Sequence, residues 1–325
     1  MKSTWARAAC SDSSLCGISK KHLGALIEEL ANPWSAARDS ELGERRGHAR
    51  MRAAGAGPDH QLVFVDRVLV TLVALRWQLS HKVLAVLFGV SGSTVDRAVA
   101  EVRPLLAARG FAVPDRPGLR LNTLADVFAY AEAEGITLRI DGTEVQVRRP
   151  KANRPGRKAF VSGKKKQNTE KAAMISDGQG RSLWLGAIRP GRMHDATQVR
   201  TEGIEEQLRL HPGVQAEVDS GYTGLARDFP HQVSAPPKKP AVDAEPPERN
   251  FYDHARRRQS QRRIMVEHAI AEPKQWRSLQ RWTGDRDDLP EVIAAIGALV
   301  SDRSAQRPTR RKPSTALVPA GPTAC

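Results

Sequence analysis

Residues 136–145 read ITLRIDGTEV, an alternating apolar stretch that is interrupted by an acid and a glycine. Alternation over this length predicts a β-strand. Asp141 stands where a buried strand normally carries an apolar residue, and a carboxylate inside a sheet is costly unless a metal or a cationic partner satisfies it. The alternative is a turn, since Asp-Gly is a common hairpin signal. The choice depends on whether other acids of the chain can meet Asp141.

A second short strand repeats this pattern. Residues 214–222 read VQAEVDSGY, so an apolar stretch again ends on an acid, Asp219, with a glycine close behind. Two parallel strands that end at the same edge of a sheet would bring Asp141 and Asp219 together. A helix is predicted between the strands over residues 196–210, with Asp195 as its N-cap rather than as a metal ligand.

A third acid, Glu267, lies in an apolar part of the helical stretch 251–283. On an ideal helix Arg263, Glu267 and Lys274 fall within about 40° of one another. Pro273 removes a backbone hydrogen bond and is expected to kink the helix, which displaces Lys274 from its ideal position. A plain i→i+4 salt bridge between Arg263 and Glu267 is the alternative.

Three carboxylates from three elements can hold two hard divalent cations, Mg²⁺ or Mn²⁺, through oxygen ligands. One ion would activate a water or a 3′-hydroxyl, and the other would stabilise the leaving oxygen of a phosphodiester. The three cysteines (Cys10, Cys16 and Cys325) lie near the ends of the chain and suit neither a disulfide framework nor a Cys-rich zinc site. No GxxxxGK[ST] motif is present, which argues against ATP-driven chemistry.

The charge of the chain favours a polyanionic partner. Its 325 residues include 51 Lys and Arg against 36 Asp and Glu, a net charge of +15, which points most simply to nucleic acid. The alternative is an Arg-rich composition that does not reflect binding to nucleic acid. The longest apolar run, residues 62–77, is broken by charged residues and does not predict a membrane span. No export signal is visible, so a cytoplasmic protein is expected.

Residues 80–99 predict a helix-turn-helix. Ser80 can cap a first helix that ends at Gly89, and Ser91 or Ser93 can cap the second. This layout places the second helix in the major groove of DNA. The residues that this helix would offer are Ser93, Thr94, Arg97 and Arg103. An ordinary helical hairpin is the alternative.

Residues 142–171 concentrate positive charge beside Asp141, and Val145–Val147, Ala159–Val161, Ala172–Ile175 and Leu183–Ile188 predict a meander of strands around it. The ten cations of the segment are Arg148, Arg149, Lys151, Arg154, Arg157, Lys158, Lys164, Lys165, Lys166 and Lys171. We expect DNA contacts above all from Arg148, Arg149, Lys164, Lys165 and Lys166. A solvated charged loop is the alternative.

Several ordered motifs give the chain a family resemblance. The motifs are IDGTE at 140–144, RPGRMHD at 189–195, VDSGYTG at 218–224, VEHAIAEPKQW at 266–276, and Arg263-x3-Glu267-x6-Lys274. Together they resemble DDE transposases of the insertion-sequence-five type, over roughly residues 18–305. Ser260 stands where the last motif of that family has a tyrosine.

The resemblance implies a mixed α/β fold with a ribonuclease H-like catalytic domain behind an all-α helix-turn-helix domain. It implies that Asp141, Asp219 and Glu267 are the metal-binding catalytic triad, with Arg263 and Lys274 in contact with phosphate. The expected organisation is an N-terminal helix and basic linker (1–57), the helix-turn-helix domain (58–118), the catalytic domain (119–305) and a disordered tail (306–325).

The leading hypothesis is a DNA transposase that binds the terminal inverted repeats of an insertion element, cuts each end and joins the 3′-OH ends to target DNA. We expect it to act on double-stranded DNA as a dimer or larger assembly, at the nucleoid of a bacterial cytoplasm. Two alternatives remain. One is a catalytically inactive DNA-binding remnant, and the other is an endonuclease of the same fold that does not join ends.

Overall fold

The structure, a computed structural model, describes residues 2–48, 60–150, 156–241 and 243–307. A sheet of seven strands lies at the centre of this part of the chain. The strands are β1 Phe111–Ala112, β2 Arg120–Leu121, β3 Leu138–Val147, β4 Thr169–Ser176, β5 Ser182–Leu185, β6 Arg189–Pro190, β7 Ala216–Val218, β8 Val233–Ser234 and β9 Arg281–Trp282. The order across the main sheet is β5-β4-β3-β7-β8, with β6 paired to β4 and β9 to β3, while β1 and β2 form a separate pair.

Helices lie before, between and after the strands in the chain, and those of the N-terminal part pack mainly on one another and on the last helix. The helices are α1 Lys2–Cys10, α2 Ser13–Cys16, α3 Lys20–Arg46, α4 Phe64–Trp77, α5 His81–Phe88, α6 Gly92–Ala107, α7 Leu124–Ala133, α8 Asp195–Thr201, α9 Ile204–Leu210, α10 Thr223–Asp228, α11 Pro246–Ala271, α12 Arg277–Gln280 and α13 Leu289–Ala305. α13 packs on α6 on one side and on β5 on the other. The mixed α/β fold with an all-α N-terminal part therefore agrees with the prediction.

β3 is the central strand, and it does not turn at its Asp-Gly pair. It is antiparallel to β4, where Asp141 lies opposite Met174 and Gly142 opposite Ala173. It is parallel to β7, and its last two residues pair with β9. The apolar residues of β3 are buried, which gives the strand its place in the core. The hairpin-turn alternative for Asp141 is therefore wrong.

The predicted helix-turn-helix is present as α5 and α6, which are bent by 106° relative to each other. The Ser80 hydroxyl caps α5 by accepting from the Lys82 amide at 3.3 Å, and Gly89 ends it with a left-handed φ of 70°. The Ser91 hydroxyl caps α6 through the Thr94 amide at 3.2 Å. No single helix of the described residues is long and apolar enough to cross a membrane. The bent α5–α6 pair meets that criterion only when the length and composition of its two helices are combined.

Two predicted segments around the sheet have a different local structure. The predicted strand at Ala159–Val161 falls mostly in a 3-10 helix, Arg157–Phe160, which begins after Gly156 at a left-handed φ of 79°. The single helix predicted over 196–210 is interrupted at Gly203, whose φ of 80° separates α8 from α9. In both places a glycine with positive φ starts a new element.

The helical ends of the chain also differ in detail from the prediction. The segment from residue 36, predicted as a linker, is helical as far as Arg46 in α3. The rest of that linker beyond residue 48 and the tail beyond residue 307 lie outside the described residues. α11 ends at Ala271, and a 3-10 turn follows at Pro273–Gln275, so the break expected at Pro273 is confirmed.

A buried ion network ties the N-terminal helices to the last helix. Asp302 of α13 accepts from His22 of α3 at 2.9 Å, from Arg109 at 2.6 Å and from Arg120 at 2.5 Å. Arg109 also pairs with Glu29 of α3 at 2.6 Å. Burial by itself raises the pKa of Asp302, but the His22 hydrogen bond and the two arginine charges outweigh it and lower that pKa to about 2.

We expect Asp302→Asn to lower the free energy of unfolding at pH 7 by at least ~2 kcal/mol, since a carboxyl pKa near 2 in the folded state lies well below the unfolded value. Because the folded-state pKa is depressed, this contribution is fully present above about pH 4 and disappears as the pH falls towards 2. Urea unfolding between pH 2 and pH 7 measures it. Asp253→Asn, at an exposed position of α11, is the matched control. Equal urea midpoints for Asp302→Asn and the unmutated protein at pH 7 would contradict the network.

Candidate functional site

Two acids converge where β7 ends beside β3. Ile140 and Val218 are partners in the parallel β3–β7 ladder, so the residues that follow them, Asp141 and Asp219, leave neighbouring strands side by side. Neighbouring strands lie about 4.8 Å apart. β7 stops at Val218, whereas β3 continues with β4 on its other side. The structure therefore brings these two carboxylates to one edge of the sheet.

Both acids line one small cleft beneath α11. The cleft is lined by Arg139, Ile140, Asp141, Glu217, Val218, Asp219 and Val266. Each aspartate accepts a hydrogen bond from the amide that follows it: Gly142 N lies 2.6 Å from Asp141 Oδ1, and Ser220 N lies 2.5 Å from Asp219 Oδ1. These local bonds fix the direction of each carboxylate.

An ion pair on the same face joins the two strands. Arg139 Nε donates to Glu217 Oε2 at 3.0 Å, and Arg139 Nη1 donates to the Gly178 carbonyl at 3.0 Å. These residues precede Asp141 and Asp219 by two positions, so they lie on the same side of the sheet. Arg139 thus holds β3, β7 and the turn between β4 and β5 together directly beside the acids.

Glu267, the third predicted acid, is not in this cleft. Its neighbour Val266 is buried and lines the cleft, whereas the Glu267 side chain is exposed. Successive helical residues point about 100° apart, so α11 cannot direct both residues at the acids. Among the described residues, no group of three or more His, Cys, Asp or Glu side chains is arranged to hold a metal ion.

Lys274 reaches the site from the 3-10 turn that follows α11. Its side chain is half-buried, and burial together with Lys165 lowers its pKa, while Glu144 and Asp141 act in the opposite direction. Lys274 therefore lies within electrostatic reach of the first acid, although Pro273 separates it from α11. The side chain of Arg263, the other predicted phosphate contact, lies outside the described residues.

The glycines beside the two acids are explained by tight packing on the opposite face of β3. A Cβ on Gly142 would lie 3.2 Å from the Tyr222 hydroxyl, and a Cβ on Gly221 would overlap the Asp195 carboxylate. The Tyr222 hydroxyl is buried and has no hydrogen-bond partner among the described residues. Burial, followed by the charges of Asp195 and Asp141, raises the pKa of Tyr222.

Asp195 has a role that the sequence reading did not assign. The N-cap of α8 is His194, whose ring nitrogen accepts from the Ala196 amide at 3.3 Å, so the predicted N-cap role of Asp195 is wrong. Asp195 instead pairs with Lys171 Nζ at 2.5 Å, and that lysine side chain is 8% exposed. The RPGRMHD motif contains Asp195, but its partner is 24 positions earlier in the chain and follows only from the packing.

The predicted DNA-contact residues of α6 differ in accessibility. Ser93 and Arg97 are exposed, whereas Thr94 is buried and its hydroxyl bonds to that of Ser91 at 2.9 Å. Thr94 is therefore a capping residue of the turn rather than a groove contact.

The fourth candidate of α6, Arg103, is used inside the protein. It pairs with Glu291 and, at 2.7 Å, with Asp288, both at the start of α13. Its predicted DNA contact is therefore wrong, because its guanidinium joins the helix-turn-helix to the last helix.

Most of the described cations in the basic segment after β3 are exposed, but Arg157 is half-buried and Lys171 is buried in its pair with Asp195. Arg148 and Arg149 follow the end of β3, and Lys164, Lys165 and Lys166 form an exposed turn before β4. The Ser162 hydroxyl shapes this turn by accepting from the Lys165 amide at 3.1 Å. Lys151 and Arg154, also predicted in this segment, lie outside the described residues.

Two family models match the chain. Residues 140–301 match the model described as DDE superfamily endonuclease, and residues 60–112 match the helix-turn-helix of DDE superfamily endonuclease. The first match includes Asp141, Asp219 and Glu267. Neither model specifies the insertion-sequence-five type, which stays a prediction. No curated protein matches the sequence.

Solved structures of Mos1 transposase show a distant similarity. The Mos1 paired-end complex with the left transposon end is 13% identical, with 81% of this chain and 87% of that chain covered and a TM-score of 0.18. The Mos1 strand transfer complex is 13% identical, with 82% of each chain covered and a TM-score of 0.20. A Mos1 mariner paired-end complex with Mn is 13% identical, with 83% and 87% covered and a TM-score of 0.18. At these TM-scores no residue role transfers to this chain.

We expect Gly221→Ala to lower the free energy of unfolding by ~1–3 kcal/mol, because the added Cβ must displace the Asp195 carboxylate from its place beside Lys171. Gly224→Ala, three residues later in α10, is the matched control. Its added Cβ meets nothing within 4 Å, and replacing a helical glycine by alanine is expected to stabilise by roughly 0.5–1 kcal/mol. Denaturant unfolding measures both. If Gly221→Ala were as stable as Gly224→Ala, the packing of Asp195 against the second acid's loop would be refuted.

Proposed function

We propose that this protein, whose chain carries a DDE-superfamily endonuclease domain behind that superfamily's helix-turn-helix, is a DNA transposase. It would bind the terminal inverted repeats of an insertion element, cut the ends and join them to target DNA. The observation that carries the proposal is the meeting of Asp141 and Asp219 at one cleft, within the residues that match the endonuclease domain.

The chemistry of the cleft suits a hard divalent cation. Asp141 and Asp219 offer carboxylate oxygens from neighbouring strands, and two like charges this close favour a cation between them. When bound there, Mg²⁺ or Mn²⁺ would lower the pKa of an attacking water or hydroxyl and stabilise the leaving oxygen of a phosphodiester. Glu267 would add a third carboxylate only after α11 turns about its axis, since Val266 faces the cleft in this structure. We propose two ions, and binding of the second depends on this rotation of α11.

Residues of the chain itself would hold the DNA. Lys274 lies near Asp141 and is half-buried, so its ammonium group is placed to contact a phosphate oxygen next to the bond that is cut. Ser93 and Arg97 are exposed on α6, where they would face the major groove of the repeat. Two ends must be held together for joining, so we propose a dimer or larger assembly on DNA.

A DNA-binding remnant without catalysis is the second candidate. Two observations favour it: Ser260 replaces the expected tyrosine on α11, and Glu267 is exposed away from the cleft. An endonuclease that cuts without joining is a third candidate. A strand-transfer assay with Mg²⁺ or Mn²⁺ on the DNA ends that flank the gene separates the three. Joined product indicates the transposase, cut but unjoined product the endonuclease, and bound but uncut DNA the remnant.

We expect Asp141→Asn and Asp219→Asn each to reduce metal-dependent cleavage by about 100-fold or more while DNA binding changes little, because the carboxylates act on the reacting phosphate and not on the repeat. Gel assays of cleavage and of end binding measure the two effects. Glu206→Gln, an exposed acid of α9, is the control and should leave both unchanged. If the Asp219→Asn protein cleaved and joined DNA at the rate of the unmutated protein, the assignment of Asp219 to the active site would be wrong.

We expect Arg97→Ala to weaken binding of the repeat by roughly 1–3 kcal/mol, since its guanidinium is exposed on the recognition helix. Arg103→Ala should instead lower the thermal midpoint of unfolding, because it loses its pairs with Asp288 and Glu291. Fluorescence anisotropy and thermal unfolding are measured for both variants. The opposite assignment, with the binding loss in Arg103→Ala and none in Arg97→Ala, would show that α6 meets DNA by another face.

A further inference from the structure

A second cleft opens at the far end of β3, away from the two acids. Its walls are the residues that follow β3 and those that follow β9, which the pairing of Gln146–Val147 with Arg281–Trp282 brings side by side. The lining residues are Arg148, Arg149, Pro150, Thr283, Gly284, Asp285 and Arg286. We call this the arginine cleft. Three of its seven lining residues are arginines that come from segments far apart in the chain.

The three arginines are held in different ways. Arg148 and Arg149 are exposed, and within the described residues neither forms an ion pair. Arg286 is half-buried and stacks over the Phe160 ring, with its guanidinium carbon 4.2 Å from the ring centroid. Its Nη1 atom is buried and has no hydrogen-bond partner in the described part of the chain. Stacking on Phe160 fixes the Arg286 guanidinium at the wall of the cleft, and guanidinium groups are well suited to bind phosphate.

The acids around the arginine cleft do not cancel this charge. The Asp285 side chain accepts from the Asp287 amide at 3.2 Å as the cap of the following turn, and its carbonyl accepts from Trp282 Nε1 at 2.5 Å. Two further acids lie nearby. Asp287 is exposed, and Glu170 is buried, so that burial raises the pKa of Glu170 although Arg286 acts against that shift. Among the lining residues themselves, three arginines stand against one acid, Asp285, so the lining carries an excess of positive charge.

The arginine cleft lies on the same strand as the first acid. Arg148 follows Asp141 by seven positions along β3 and the residue after it, and seven residues of extended strand span about 23 Å. In B-form DNA that distance corresponds to at most about seven base pairs along the helix axis. The arginine cleft thus lies within about 23 Å of Asp141, a separation that the backbone of a bound DNA molecule would span.

From this arrangement we infer that the arginine cleft is a phosphate-binding subsite for the DNA backbone, with Arg148, Arg149 and Arg286 as its contacts, within about seven base pairs of the cleaved bond. The inference rests on the proposed function for its ligand, DNA. It adds Arg286 and a defined position to the general expectation of a basic surface. Backbone contacts of this kind position DNA and carry no sequence information.

The test is the salt dependence of DNA binding by the full chain. Fluorescence anisotropy with two labelled 30-bp duplexes of unrelated sequence is measured between 50 and 200 mM KCl for the unmutated protein, Arg148→Gln, Arg286→Gln and Arg286→Lys. Arg227→Gln is the matched control, since Arg227 is an exposed arginine of α10 outside the arginine cleft. Arg148 is exposed, so its variant remains informative even if Arg286→Gln were to unfold.

We expect Arg148→Gln and Arg286→Gln each to weaken binding about fivefold to tenfold, equally for both duplexes, and to reduce the slope of log K against log[salt] by about 1. Arg286→Lys should keep the slope, and Arg227→Gln should match the unmutated protein. An unchanged slope in Arg148→Gln overturns the subsite, and so does a loss that occurs with one duplex sequence alone. Failure of the proposed function would look different: metal-dependent cleavage would be absent while the slope change in the arginine variants persisted.

Discussion

The site depends on the unequal lengths of two paired strands. β7 has three residues and stops at Val218, while β3 has ten and continues past Asp141. Because the strands are parallel and Ile140 pairs with Val218, the next residue of each is an acid at the same height in the sheet. A longer β7 would bury Asp219 in a ladder, and an antiparallel register would separate the acids. The end of β7 is what makes an accessible cleft.

The packing behind the acids makes this arrangement rigid. Gly221 lets the Asp195 carboxylate approach the backbone more closely than a Cβ would allow, and a Cβ on Gly142 would be in tight contact with the Tyr222 hydroxyl. The Lys171–Asp195 pair anchors α8 to β4 on the same side. On the opposite face, Arg139 and Glu217 connect the two strands directly. The carboxylates therefore project from a backbone that is held on both faces, as the proposed catalytic site would require.

The helix-turn-helix is joined to the sheet through α13. One continuous apolar core extends from the N-terminal helices to the strands. Arg103 connects α6 to the start of α13, and Asp302 connects its end to α3 through His22 and Arg109. In the proposed transposase, a link of this kind would set a fixed distance between the DNA contacts of α6 and the cleavage site at Asp141. The domain boundary near residue 118 stays a prediction, and the apolar core is continuous across it.

Local signals in the sequence determined much of this protein. The caps Ser80 and Gly89, the break at Pro273 and the alternation of β3 were predictable because neighbouring residues decide backbone geometry at short range. Tertiary structure decided the rest: that Thr94 is buried, that Asp195 pairs with Lys171, that Val266 rather than Glu267 faces the acids, and that Arg286 lies beside Arg148. These outcomes depend on strand register and on helix rotation. Both are set by burial between segments far apart in the chain, which local propensity does not encode.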